Sequence, residues 1–98
     1  MKPILFSAKS RQDLLEIRAY TESQWSPQQA IAYRDLLLDE CYSIPDKESV
    51  LSFPAYKEYH YTHCGHHYIF FKSSEQEIRI VRIHHERMQF SKHLQEVR

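Results

Sequence analysis

The sequence predicts a single α+β domain in which an antiparallel helical hairpin covers one face of an antiparallel sheet. Three observations carry this reading. Two helix-patterned segments meet at Trp25-Ser26-Pro27 with almost no linker, so they must pack as antiparallel neighbours. Three runs rich in β-branched and aromatic residues follow, separated by tight polar turns. A short apolar segment, Pro3–Ala8, precedes them all. The predicted order is β-α-α-β-β-β with a short C-terminal tail or helix, all in one domain over residues 1–98. A chain of this size buries about 60–65% of its unfolded surface, enough for one core.

Each element has its own justification. In PILFSA, Ile4, Leu5 and Phe6 form an apolar strand and Pro3 suits its first position. Ser10 with Asp13 three residues later reads as a capping box opening the first helix. Leu14, Ile17, Thr21 and Trp25 then recur at helical spacing, flanked by Leu15 and Tyr20. Ser26-Pro27-Gln28-Gln29 gives the second helix a cap, a proline at its first position and Gln at its third. Its stripe is Ala30, Tyr33, Leu37, Cys41 and Ile44, and Pro45 ends it. Residues 45–56 form a loop with two prolines. Lys57–His63, His67–Lys72 and Glu77–His84 are the later strands, the middle one apolar enough to be buried on both faces. Cys64-Gly65 turns the first of them into the second.

Composition excludes several classes. Thirteen basic residues balance thirteen acidic ones, against the excess of positive charge that bulk nucleic-acid binding requires. Gly65 is the only glycine, so no glycine-rich phosphate loop exists. No run approaches the ~18 apolar residues of a membrane span, and the N-terminal apolar patch is too short for a signal peptide. Without an export signal, Cys41 and Cys64 are expected as reduced thiols in a cytoplasmic protein.

The run Gly65-His66-His67-Tyr68-Ile69-Phe70-Phe71, a polar turn, then Glu77-Ile78-Arg79-Ile80-Val81-Arg82-Ile83-His84-His85-Glu86-Arg87-Met88, with His93-Leu94 in the tail, resembles the C-terminal half of ParE-type toxins. These belong to the RelE/ParE superfamily of toxin–antitoxin systems. The N-terminal half agrees, with Asp13-Leu14-Leu15-Glu16-Ile17 opening the first helix and Trp25 near its end. The resemblance implies a type II toxin that inhibits DNA gyrase and is neutralised by a cognate antitoxin in a hetero-oligomer. Such a toxin meets operator DNA only through the antitoxin and needs no cofactor, catalytic residue or membrane. It also implies that Arg79, Arg82, His85, Arg87, Met88, His93 and Leu94 carry toxicity. The antitoxin is expected on the first helix (Leu14, Ile17) and on the open sheet face (Tyr59, Tyr61, Tyr68, Phe70).

Two alternatives stay open. RelE-type relatives cut mRNA on the ribosome, and here His84 and His85 would act as acid–base groups with Arg79 and Arg82 on the phosphate. Gln89, where such sequences usually carry Asp, leaves room for a non-toxic module that only binds antitoxin. The ordinary role for strand arginines is solvation or cross-strand pairing with a carboxylate such as Glu58. The cluster His60, His63, Cys64, His66 and His67 has no zinc-finger spacing, so no metal site is expected.

Overall fold

Ser7, not Ser10, starts the first helix. The computed structural model describes residues 2–46, 51–52 and 59–87. In it β1 (Ile4–Phe6) passes directly into α1 (Ala8–Gln24). The Ser7 hydroxyl accepts from the Ser10 N–H at 3.0 Å and donates to the Val81 carbonyl at 2.8 Å. One side chain thus caps the helix and ties it to the last strand. Ser10 lies inside the first turn, fully buried, its hydroxyl donating to the Ser7 carbonyl. Both serines satisfy the local capping pattern, and the tertiary bond to Val81 decides between them. The change releases Asp13 from the capping box for another role.

Helix α2 (Pro27–Ser43) begins as its sequence dictates, with the Ser26 hydroxyl accepting from Gln29 N–H at 3.1 Å. It passes into a 3₁₀ turn, Ile44–Asp46, that contains Pro45. Only Trp25 and Ser26 separate the helices, which pack side by side. Ala30, Leu37, Cys41 and Ile44 are buried from α2 as the stripe requires. The α1 stripe holds only in part. Leu14 and Ile17 pack against the core, but Trp25 is 75% exposed. It sits at the helix C-terminus, its N–H bonded to the Thr21 carbonyl, where the stripe has run past the sheet.

The sheet has the order β1-β5-β4-β3-β2. Strands β3 (His60–Cys64), β4 (His67–Ser73) and β5 (Ile78–His85) form the expected antiparallel meander. A two-residue strand β2 (Leu51–Ser52) pairs antiparallel with β3, inside the segment read as loop. β1 pairs with β5 in parallel, Ile4 opposite Ile78 and Phe6 opposite Ile80. The sheet is therefore mixed: β1 lies parallel to β5, and the other pairings are antiparallel. Alternation within a three-residue strand does not encode that direction.

Side chains of β4 alternate between two buried sets. Ile69 and Phe71 join Ile78, Ile80, Ile83, Leu37 and Cys41 on the helix side, and Phe70 joins Tyr59 and Val81 on the other. A bulge lets both sets coexist. Phe70 opposes Arg82 and Phe71 opposes Ile80, leaving Val81 as the extra residue. Both cysteines are buried thiols outside any disulfide, and burial pushes the Cys41 thiol up to about 12.

Candidate functional site: the cleft at the end of the last strand

β1 covers only the first part of the outer edge of β5. Past Ile80 the edge is closed by α1: Ser7 takes the Val81 carbonyl and Asp13 takes the Ile83 N–H at 2.9 Å. Asp13 also receives Arg82 in a two-pronged pair, Nε to Oδ2 at 2.8 Å and Nη2 to Oδ1 at 3.1 Å. Both side chains are nearly excluded from water, at 11% exposure for Arg82 and 7% for Asp13. Such a pair fixes geometry strongly and tolerates loss of either partner poorly.

Beside this pair a cleft of about 730 Å³ opens between the helical hairpin and the far end of the sheet. Glu16, Tyr20 and Trp25 line it from α1, Tyr33 from α2, and His66, His67 and His85 from the sheet. Tyr33 organises its floor. Its hydroxyl accepts the His66 N–H at 3.0 Å and shares a hydrogen bond with His67 Nδ1 at 2.6 Å. Gly65 makes this approach possible: its φ is +59°, and a Cβ there would lie 2.7 Å from the Tyr33 hydroxyl. Burial, then the neighbouring His85 and His66, lowers the His67 pKa to about 4, so its ring stays neutral. Burial likewise raises Tyr33, keeping the phenol protonated.

The other histidines diverge. His63 Nε2 meets Glu86 Oε2 at 2.8 Å, and His66 Nδ1 lies 3.6 Å from the other oxygen. The His63 hydrogen bond is the main reason that Glu86 stays ionised below its usual range. With the Glu86 N–H donating to the His66 carbonyl at 2.9 Å, this carboxylate fastens the exit of β5 to the β3–β4 turn. His60 instead lies against Phe71. Among the described residues, no group of three or more His, Cys, Asp or Glu is arranged to hold a metal ion.

Of the last-strand residues singled out from sequence, Arg82, His84 and His85 line this cleft, whereas Arg79 and Arg87 do not. Arg79 is half-exposed at the start of β5 and pairs with Glu77 at 3.1 Å, while Arg82 pairs with Asp13. Glu58, their expected partner, lies outside the described residues. His84 and His85 are successive on a strand and face opposite ways. His84 is buried against Phe70, and His85 approaches the His67 ring edge-on at 5.3 Å. Arg87 is exposed just past the strand. Met88, His93 and Leu94 lie outside the described residues.

The residues expected to meet an antitoxin fall on two sides of the sheet. Leu14 and Ile17 are half-buried on the helix side. Tyr59 and Phe70 are fully buried on the other, leaving Tyr61 and Tyr68 with accessible ring edges, packed T-shaped at 5.5 Å. Sequence reasoning missed Tyr33, Glu86 and the true use of Asp13. Only the lone glycine beside two histidines hinted at the first.

The described residues form a small helix-clasped sheet domain with a cleft at its edge. A family model described as "ParE toxin of type II toxin-antitoxin system, parDE" matches residues 4–90, and the chain belongs to this family. The toxin–antitoxin structure "Chromosomal ParDE TA system from P. aeruginosa" is similar in fold, with a TM-score of 0.77 at 15% identity, over 87% of this chain and 96% of that one. The DinJ–YafQ complex of E. coli is also similar, with a TM-score of 0.50 at 15% identity, over 88% of this chain and 94% of that one. At these identities the likeness shows the fold alone. No curated protein sequence matches the chain.

Proposed function

We propose that this chain is the toxin of a type II toxin–antitoxin pair, that it acts in the cytoplasm by inhibiting DNA gyrase without catalysing a reaction, and that a cognate antitoxin neutralises it. Family membership over residues 4–90 supports the toxin class. That a structure of similar fold is a ParDE TA system, and another a two-protein complex, supports the antitoxin partner. The observation that carries the choice of gyrase over mRNA is that both last-strand arginines are already engaged by carboxylates. An RNA-cleaving site needs cations converging on one phosphate beside an acid–base pair. Here Arg82 is held by Asp13, Arg79 by Glu77, and His84 faces away from His85. His85, Arg87 and the following segment with Met88, His93 and Leu94 are then a contact surface for the target. Operator DNA is met only through the antitoxin.

Two parallel assays of the purified protein test this: gyrase supercoiling of relaxed plasmid, and mRNA integrity in a translating extract. Blocked supercoiling with intact mRNA is the expected result. Cut mRNA with normal supercoiling would overturn it and make His84 and His85 catalytic candidates again. Full activity of both gyrase and translation, with no growth arrest on expression, would mean a module that only binds antitoxin.

A further inference from the structure

The cleft carries two exposed aromatic side chains and a carboxylate. Trp25 and Tyr20 are the two most exposed large apolar side chains among the described residues, at 75% and 67%, and both line the cleft. Of the fixed charges lining it, Asp13 and Arg82 neutralise each other, leaving the Glu16 carboxylate one helical turn from Tyr20. The carboxyl end of α1 adds to this. Its last turn holds no basic residue and includes Glu22. Aromatic faces and a carboxylate both favour positive charge.

We propose that this end of the cleft takes an arginine side chain of a partner protein, its guanidinium held against the Trp25 and Tyr20 rings and drawn by Glu16. The proposal deepens the function proposed above and rests on its antitoxin partner. A planar, weakly hydrated guanidinium suits a pair of aromatic rings better than the compact ammonium of lysine. The neutral His67 at the cleft floor adds no opposing charge.

Trp25 is the only tryptophan, so its indole N–H resonance reports on this site alone. The ¹⁵N-labelled full chain is titrated separately with N-acetyl-arginine amide, the uncharged isostere N-acetyl-citrulline amide, and inorganic phosphate. The expected result is a saturable shift of the Trp25 indole with arginine, about tenfold weaker with citrulline, and absent with phosphate. It should be lost in Trp25→Ala and reduced in Glu16→Gln, with the rest of each spectrum unchanged. Equal response to citrulline, a preference for phosphate, or no response at Trp25 would overturn the proposal. So would shifts that depend on protein concentration alone, which would give the site to a second copy of the chain. The titration reads the cleft without reference to toxicity, and the supercoiling assay does not depend on Trp25, so either reading can fail alone.

Discussion

Asp13 holds Arg82 and the backbone of Ile83 at once, with one carboxylate closing the strand edge that β1 leaves open. The pair joins residues 69 positions apart, and it is nearly dry. Removing one member leaves the other charge buried. Asp13→Ala and Arg82→Ala are each expected to cost about 3–5 kcal/mol, read as a lower urea midpoint. Asp13→Asn, which can still accept the Ile83 N–H, should cost less. Equal midpoints for wild type and Arg82→Ala would show that the pair contributes no stability.

This bears on any toxicity scan. Arg82→Ala should lose growth arrest through lost fold, whereas Arg87→Ala, altering an exposed side chain, should keep its unfolding midpoint and weaken arrest. A folded, fully toxic Arg87→Ala chain would remove Arg87 from the contact surface. Circular dichroism alongside the growth assay separates the two effects.

His67 gives stability a pH dependence of definite sign. Its folded pKa, about 4, lies below the ordinary 6.5. Between these values the unfolded chain binds a proton that the folded chain resists, so stability falls as pH drops from 6.5 toward 4. With allowance for the partial exposure of the ring, the loss is ~1–2 kcal/mol. Denaturation midpoints of wild type and His67→Gln across this window should converge at low pH. Parallel curves would assign the pH dependence elsewhere.

Gly65→Ala meets two obstacles, a positive φ and the Tyr33 hydroxyl at 2.7 Å. A cost of about 1–3 kcal/mol is expected, measured as a drop in Tm. Adding Tyr33→Leu should recover part of it by removing the clash while keeping the φ penalty. Full additivity of the two losses would mean that the contact is not the cause.

Ser7→Ala should cost about 1–2 kcal/mol, the upper range for a helix cap, because the hydroxyl also serves the Val81 carbonyl. Thermal unfolding checks this directly. An unchanged Tm would place the start of α1 elsewhere.

The helical hairpin and the meander were legible because their signals are local: Ser26-Pro27 at a helix start, Gly65 at a turn, β-branched runs in β5. What was not legible depends on residues far apart in the chain. Ser7 and Ser10 both fit a cap, and only the Val81 carbonyl distinguishes them. Asp13 fits a capping box until Arg82 is seen to reach it. The parallel pairing of β1 leaves no trace in three residues. In the candidate site, the histidines were visible as a cluster, but their division among Tyr33, Glu86 and Phe71 follows from strand register and the bulge at Val81. Trp25 fits the apolar stripe by spacing, yet the helix outlasts the sheet beneath it.

The pairing of β1 with β5 also sets a schedule. The first strand has no sheet to join until Ile78–Ile80 exist, and Ser7 and Asp13 wait for partners 74 and 70 residues downstream. The helical hairpin can form early from local contacts, whereas closing the sheet is a long-range step and correspondingly slow. A nascent chain cut short before β5 therefore has no closed edge, no Asp13–Arg82 clasp and no cleft. Synthesis itself withholds the finished domain until the last strand has been made.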